Sequence, residues 1–163
     1  MIISADGNEI ISGSGDKTLR RWSSVTGECI RVYKGHNYSV TCVAFLQNGQ
    51  VVSGSSDQSI KIWDTLTGEC LQTLNERIDW MTGIVVCCNG DLVSVSYNNL
   101  QVWRAGTTSK YVCIQTIEHS DRILSIALSS HGGADDLITN CYDNITLYHR
   151  EIDTGEYKKF QNF

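Results

Sequence analysis

A repeat of 41 residues is the feature that most constrains how this chain of 163 residues can fold. The segment SGSGDKTLRRWSSVTGEC (12–29) returns 41 residues later as SGSSDQSIKIWDTLTGEC (53–70), with the same Ser-Gly-Ser start, Asp, Trp and TGEC end. Two weaker copies follow, LVSVSYNNLQVW (92–103) and LITNCYDNITLY (137–148). A fixed period of this size, present four times, predicts a repeat architecture.

Within each repeat the apolar residues alternate with a period of two. The second repeat contains the short runs VTCVAF, QVVSGS, SIKIW and ECLQTL, which are rich in β-branched and aromatic residues and are separated by polar turns. Four such strands joined by tight turns predict an antiparallel sheet. Because both faces of this sheet are partly apolar, it must pack face to face with its neighbours, as the blades of a β-propeller do.

Composition narrows the class of protein. The formal net charge is −5, with acidic and basic residues interspersed, which argues against a large phosphate-binding surface and therefore against nucleic acid as a partner. No apolar run approaches the ~20 residues of a membrane helix, and the start, MIISADGNE, lacks the basic and apolar regions of a signal peptide. We therefore expect an intracellular protein, cytoplasmic or nuclear, without a membrane partner.

The second repeat resembles the WD-repeat family. It carries Gly35-His36, Ser53, Asp57 and the IWD run Ile62–Asp64 at the positions of that family's motifs. The resemblance implies an all-β propeller of four four-stranded antiparallel blades, at about residues 1–34, 35–75, 76–118 and 119–163. The first blade is expected to be truncated, because nothing before Met1 corresponds to GHNYSVTC (35–42).

The resemblance also implies a buried hydrogen-bond chain in each blade. In the family it links the His before the first strand, the Ser of the second, the Asp of the tight turn and the Trp of the third. The matching positions are His36, Ser53, Asp57 and Trp63 in the second repeat, Ser12, Asp16 and Trp22 in the first, Ser94 and Trp103 in the third, and His119, Thr139, Asp143 and Tyr148 in the fourth. Arg77 lies near the His position of the third repeat. Each buried group needs a partner, because an unpaired one costs about 1–3 kcal/mol.

His, Ser and Asp are also the components of a catalytic triad. A hydrolase needs an exposed nucleophile beside an oxyanion hole, whereas the family pattern buries these side chains. The four histidines, His36, His119, His131 and His149, lack the spacing of zinc ligands, and the seven cysteines include no CxxC motif. No glycine-rich phosphate loop leads into a helix. We predict no enzyme activity, no metal site and no cofactor.

The resemblance places partner binding on the face formed by the loops that enter the first strand and leave the second. These loops contribute Asn37, Tyr38, Asp79, Trp80, Tyr97, Asp121, Arg122 and Tyr142, a set called the rim below. Four of the eight are aromatic, and Trp, Tyr and Arg are enriched among the residues that contribute most to interface affinity. We expect the rim to bind a protein or peptide, with Trp80 as its main anchor.

The sequence therefore predicts a non-catalytic scaffold for protein–protein interaction. One alternative is the substrate-recognition segment of a larger ubiquitin-ligase-type adaptor. Another is a propeller associated with nucleic acid or ribonucleoprotein, but its basic residues cluster only in the first repeat, at Arg20, Arg21, Arg31 and Lys34. Three arrangements remain open: a segment of a longer propeller, a homodimer that completes an eight-bladed ring, and four blades that close on themselves.

Two details depart from the repeat. Arg21 occupies a strand position that holds Ile62, Val102 and Leu147 in the other copies. This predicts either a face that meets water or a polar partner, or an arginine whose stem lies along the interface while its head reaches solvent. The insertion HGGADD (131–136) is predicted to lengthen one hairpin of the fourth repeat as a loop.

Overall fold

The computed structural model describes the chain except for residues 76–79, 132–133 and 152. In that part of the chain sixteen strands form four four-stranded antiparallel sheets, with no helix among the described residues. Within each sheet the strands are neighbours in their order along the sequence. The predicted all-β fold of four-stranded antiparallel blades is confirmed. Among the described residues, no helix has the length and apolar character that would let it cross a membrane.

The strands are short and are numbered along the chain. The first sheet contains β1 (Ile2–Ile3), β2 (Glu9–Gly13), β3 (Thr18–Ser23) and β4 (Cys29–Lys34). The second contains β5 (Val40–Phe45), β6 (Val51–Ser55), β7 (Ile60–Trp63) and β8 (Cys70–Leu74). The third contains β9 (Met81–Val86), β10 (Leu92–Ser96), β11 (Asn99–Ala105) and β12 (Tyr111–Glu118). The fourth contains β13 (Ile123–His131), β14 (Ala134–Cys141), β15 (Ile145–Arg150) and β16 (Tyr157–Asn162).

Asn-Gly pairs close the hairpin between the first two strands in the second and third sheets. Gly49 and Gly90 have φ angles of 81° and 86°, in the left-handed region that glycine adopts without a steric penalty. The preceding Asn48 side chain accepts a hydrogen bond from the backbone N–H of Gln50 at 3.1 Å. These local bonds set the tight turns and therefore the antiparallel pairing of the strands.

All four sheets share one irregularity. The pairing of the third and fourth strands shifts register immediately before the aromatic residue of the repeat, at Trp22, Trp63, Trp103 and Tyr148. A β-bulge of this kind bends the strand and increases its twist. The repeat therefore persists in backbone geometry even in the fourth sheet, where the sequence similarity is weakest.

The core consists of three clusters, each formed between successive sheets. The buried residues between the first and second sheets are Ile11, Leu19, Tyr33, Val40, Val43, Val51 and Trp63. Between the second and third they include Val52, Ile60, Ile62, Leu74, Met81, Leu92 and Trp103. Between the third and fourth they include Val93, Val95, Leu100, Val102, Ile123, Leu137 and Tyr148. Face-to-face packing of neighbouring sheets therefore supplies the apolar burial.

The four sheets form an open arc. The core clusters join the first sheet to the second, the second to the third and the third to the fourth. Within the described part of the chain, no cluster joins the fourth sheet back to the first. The arrangement in which four blades close on themselves is therefore wrong, and within the described part of the chain one face of each terminal sheet packs against no other sheet.

Arg21 lies inside the interface between the first and second sheets. Its guanidinium pairs with the carboxylate of Glu9 and donates from Nη1 to the Thr65 carbonyl oxygen at 2.9 Å. The side chain is only 15% exposed. The expectation that this face meets water is wrong, because hydrogen bonds to the next sheet replace the apolar contact of the other repeats.

The described residues of the insertion in the fourth sheet belong to strands, where the sequence predicts a loop. Strands β13 and β14 remain paired as far as His131 and Ala134, so the predicted loop at HGGADD is mostly strand. Continued ladder bonding satisfies backbone groups that a loop would leave to water.

Candidate functional site

The second sheet holds the complete hydrogen-bond chain. Trp63 Nε1 donates to Ser53 Oγ at 2.8 Å, and Ser53 Oγ lies 2.7 Å from His36 Nε2. His36 Nδ1 lies 2.9 Å from a carboxylate oxygen of Asp57. The structure thus brings together the four residues that the resemblance implies for this repeat.

The carboxylate fixes the direction of these bonds. An ionised carboxylate only accepts, so His36 Nδ1 donates to Asp57 and His36 Nε2 accepts from the Ser53 hydroxyl. Burial lowers the pKa of His36 despite its carboxylate partner, which keeps the ring neutral. Burial alone raises the pKa of Asp57, but hydrogen bonds from Ser59, from the Asn37 N–H and from His36 outweigh it and lower the pKa to about 2.

The chain has the properties of a structural support. Ser53 is fully buried, and the side chains of His36 and Asp57 are 0% and 5% exposed. A nucleophile in this position has no access to a substrate. The bonds instead connect the segment before β5 to the β6 strand and the β6–β7 turn, and so fix one of the loops that carries rim residues.

Among the described residues, the first and third sheets keep only the serine–tryptophan part of the hydrogen-bond chain. Trp22 Nε1 donates to Ser12 Oγ and Trp103 Nε1 donates to Ser94 Oγ, both at 2.9 Å. Asp16 is exposed and accepts hydrogen bonds within its own turn and from a neighbouring arginine, so it does not extend the chain of the first sheet. Arg77, near the His position of the third repeat, lies outside the described residues.

The fourth sheet departs further from the expected chain. His119 Nε2 contacts the Tyr148 hydroxyl directly, and burial lowers the pKa of His119. Among the residues that the structure describes, the buried Thr139 hydroxyl has no hydrogen-bond partner, and the exposed Asp143 makes no bond to His119. The inclusion of Thr139 and Asp143 in the chain is therefore wrong. The tyrosine hydroxyl meets the imidazole itself, so no intermediate hydroxyl is needed between them.

The four rim aromatics are exposed. Tyr38, Trp80, Tyr97 and Tyr142 have exposed fractions of 62%, 62%, 52% and 70%. They lie in the segments before β5 and β9 and in the β10–β11 and β14–β15 turns, which are all at the same end of the sheets. Trp80 therefore does not fold into the core.

The polar rim residues occupy the same loops. Asn37 and Asp121 are exposed, and Arg122 is half-buried. Asp79 lies outside the described residues. The backbone N–H of Asn37 donates to an Asp57 carboxylate oxygen at 2.8 Å, which ties this part of the rim to the buried chain.

Backbone hydrogen bonds connect rim loops of different sheets. The Ser14 carbonyl of the first sheet accepts from the N–H of Val40 in the second at 3.0 Å. The Tyr97 carbonyl of the third sheet accepts from the N–H of Ile123 in the fourth at 2.6 Å. Within the third sheet, the Tyr97 N–H donates to the Trp80 carbonyl at 3.1 Å. Each of these loops is therefore held by at least one neighbour.

Two cations cover rim aromatics from the adjacent sheet. Arg122 of the fourth sheet lies over the Tyr97 ring of the third, 6.0 Å from its centroid. Lys17 of the first sheet lies over the Tyr38 ring of the second at 5.8 Å. Sequence reasoning did not include Lys17, although its place in the β2–β3 turn corresponds to other rim turns. Such cation–π contacts position aromatic rings at an exposed surface.

Four-stranded sheets that stack face to face, with a buried polar chain and loops at one end, define a β-propeller type of repeat protein. The family model described as WD domain, G-beta repeat, matches residues 1–23 and 27–64. Over these residues, in the first two sheets, the chain is similar to the WD-repeat family.

Curated relatives share similarity with this chain over about one repeat. The chain is 39% identical over 44 residues to WD repeat-containing protein pop1 of Schizosaccharomyces pombe, which covers 27% of this chain and 6% of that protein. It is 35% identical over 48 residues to F-box/WD repeat-containing protein 10 of Mus musculus; the matched segment is 29% of this chain and 5% of that protein. It is 53% identical over 34 residues to F-box/WD repeat-containing protein 7 of Drosophila melanogaster, which covers 21% and 3%. The matched region is thus a small part of each relative.

Proposed function

We propose that this chain is a non-catalytic scaffold that binds a protein or peptide partner at the rim. The observation that carries the proposal is the exposure of four aromatic side chains at one end of sheets whose faces are committed to packing. Large aromatic groups offer contact area with few rotatable bonds, and they dominate the energetics of many interfaces. WD-repeat proteins in general bind protein partners, which supports the same role here.

The buried chain supports this role indirectly. It fixes the segment that carries Asn37 and Tyr38, so little conformational freedom is lost when a partner binds there. Its serine is inaccessible, which favours a binding function over hydrolysis. We further propose that the protein acts in the cytoplasm or the nucleus.

A second candidate is substrate recognition within a ubiquitin-ligase-type adaptor. Its support is the similarity of one repeat to two proteins named as F-box/WD repeat-containing. In that case the rim would hold a substrate segment and another part of the assembly would recruit the ligase. We do not propose nucleic acid as the partner, because the net charge of −5 opposes phosphate binding.

Site-specific photo-crosslinking tests the proposal. A photoreactive amino acid replaces Trp80 or Tyr142 in the full chain, which is then irradiated in a cell extract. The matched control carries the same group at Leu66, which is equally exposed, at 72%, in the β7–β8 hairpin rather than on the rim. Defined protein adducts at Trp80 and Tyr142 that are missing at Leu66 support the rim, whereas identical adducts at all three positions, or none at the rim, contradict it.

Alanine substitutions separate binding from folding. Trp80→Ala and Tyr142→Ala are expected to leave the free energy of unfolding within about 0.5 kcal/mol of the original, since both side chains are exposed. The same variants should compete at least tenfold less well for the crosslinked partner. If they unfold as readily as Trp63→Ala, the side chains support the fold and the assignment to the rim is wrong.

A further inference from the structure

A glutamine on the fourth strand of one sheet holds the outer hairpin of the next. Gln72 Nε2 donates to the Tyr111 carbonyl oxygen at 2.7 Å, and Gln72 Oε1 accepts from the Tyr111 N–H at 2.9 Å. Gln115 makes the same pair of bonds to Tyr157, both at 2.8 Å. In each case the tyrosine is the first residue of the next sheet's fourth strand. This pair of bonds is called the glutamine clamp below.

The interface between the first and second sheets uses a different device. Arg31 replaces the glutamine and donates from Nη1 to the Thr67 carbonyl oxygen at 3.0 Å. Arg21 and Tyr33 donate to the neighbouring Thr65 carbonyl oxygen at 2.9 and 3.2 Å. These groups form only donor contacts to carbonyls in the turn, and none of them accepts a backbone N–H from it.

The two devices correspond to two lengths of the outer hairpin. In the first two sheets the tryptophan pairs with a cysteine seven positions later, as Trp63 does with Cys70. In the third sheet Trp103 pairs with Cys113, ten positions later, and in the fourth the separation is eleven. Only the longer hairpins begin their last strand with a tyrosine whose N–H and carbonyl are both available to a neighbour.

The short hairpin cannot take part in a glutamine clamp. At the position that corresponds to the clamped tyrosine it has Gly68, whose N–H donates to the Asp64 carbonyl at 2.9 Å. The first sheet has the same turn, in which the Gly27 N–H donates to the Ser23 carbonyl at 2.9 Å. Neither N–H is free to donate to a glutamine oxygen.

The fourth sheet carries a third glutamine at the clamp position. Gln161 pairs with Leu147 in the register in which Gln72 pairs with Ile62 and Gln115 with Val102. Gln161 is exposed and makes no side-chain hydrogen bond in the described part of the chain. No tyrosine backbone of the described residues therefore bonds to Gln161 as Tyr111 bonds to Gln72.

The surroundings of Gln161 match those of the occupied clamps. Ile145 is 45% exposed, whereas Ile60, at the same position of the second sheet, is fully buried. Phe163 is 70% exposed, whereas its counterpart Leu74 is 5% exposed. The fourth sheet thus presents both the polar clamp and the apolar contacts that receive a long-hairpin sheet elsewhere in the molecule.

We propose that the outer face of the fourth sheet docks a β-sheet whose outer hairpin is of the long type, with a tyrosine at the start of its last strand, and that Gln161 selects it. The first sheet of a second copy of this chain is not the occupant, because its hairpin is short and its Gly27 N–H is already bonded. A head-to-tail eight-bladed homodimer would require that mismatched contact.

Two extended chains test the selection. In one, a copy of residues 119–163, with the long hairpin, follows Phe163; in the other, a copy of residues 35–75, with the short hairpin, follows it. The added sheet alone carries ¹⁵N, introduced by protein ligation, so its backbone amides are observed without overlap. Hydrogen exchange is measured in each chain with Gln161 intact and with Gln161→Ala, and Lys158→Ala serves as the exposed control on the same strand.

The long-hairpin sheet is expected to dock, with its tyrosine amide protected from exchange. Gln161→Ala should reduce this protection about tenfold or more, because both hydrogen bonds to the tyrosine backbone are lost. Lys158→Ala should have no effect, and in the short-hairpin chain Gln161→Ala should change nothing.

Three results would overturn the proposal. Equal protection of both added sheets, with no effect of Gln161→Ala, would show that the clamp does not select. Failure of the long-hairpin sheet to dock would show that this is not a docking face. A concentration-dependent dimer of the unextended chain, dissociated by Gln161→Ala, would show that the short hairpin of a second copy is accepted.

Discussion

Removing the Ser53 hydroxyl should be the most damaging of three serine-to-alanine changes at equivalent positions. Ser53 accepts from Trp63 Nε1 and donates to His36 Nε2, so Ser53→Ala leaves two buried polar groups without partners. Each orphaned group costs about 1–3 kcal/mol. The free energy of unfolding should therefore fall by about 2–4 kcal/mol.

The other sheets provide matched controls. Ser94 is buried and accepts a hydrogen bond from Trp103 Nε1 at 2.9 Å, and no second side chain of the described residues bonds to its hydroxyl. Ser94→Ala should therefore leave one group without a partner and cost about 1–2 kcal/mol. Ser12 accepts a hydrogen bond from Trp22 Nε1, and Trp22 is only half-buried. Water can solvate that indole N–H, so Ser12→Ala should cost about 0.5 kcal/mol.

Urea unfolding followed by far-ultraviolet circular dichroism measures the three differences. The comparison holds when the slopes of the transitions agree between variants, because the slope reports the surface exposed on unfolding. The expected order of destabilisation is Ser53→Ala, then Ser94→Ala, then Ser12→Ala. Equal losses, or the largest loss at Ser12, would refute the argument that orphaned partners set the cost.

Three further predictions concern other parts of the fold. The pKa of His36 lies below its usual 6.5 in the folded chain, so the free energy of unfolding should fall as the pH drops below about 6.5. The pKa of Asp57 is lowered from 3.8 to about 2, so a further loss of about 2 kcal/mol is expected between pH 4 and pH 2. Urea midpoints across this range check both, and a midpoint that rises on acidification would contradict them. Arg21→Leu should lower the free energy of unfolding by about 1–3 kcal/mol because it leaves the Glu9 carboxylate unpaired. Arg21→Leu with Glu9→Leu should recover part of that loss in the same assay, and no recovery would argue against the pair. Gly54→Ala should cost about 1–3 kcal/mol, since its Cβ would lie 2.6 Å from the Cys42 sulfur; an unchanged thermal midpoint would show that the interface can relax.

Much of the architecture could be predicted because it depends on local pattern. Alternating apolar residues, Asn-Gly turns and the 41-residue period together specify short antiparallel strands in repeating sheets. The histidine, serine, aspartate and tryptophan of the second repeat were predicted from their family positions, and there the structure brings them together.

Contacts between sheets were harder to predict because they depend on which residues lie opposite each other across an interface. For Arg21 the sequence left two readings open, a face that meets water or a polar partner and a stem along the interface with its head in solvent, because nothing in its own repeat shows the Thr65 carbonyl of the next sheet. Thr139 and Asp143 matched the family positions. In the fourth sheet, however, the Tyr148 hydroxyl contacts His119 directly, so Thr139 does not lie between them. The clamp glutamines share one repeat position, yet their role depends on the hairpin length of the following sheet.

The backbone hydrogen bonds between rim loops imply that partner binding and sheet packing are thermodynamically coupled. The Tyr97 carbonyl and the Ile123 N–H belong to different sheets, and Arg122 covers the Tyr97 ring from across the same boundary. A partner that contacts both sides of this boundary binds only when the two sheets are in register, and by mass action it stabilises that register. Such a partner would therefore stabilise the interface between the third and fourth sheets as well as bind to it. Its affinity would depend on the stability of that interface.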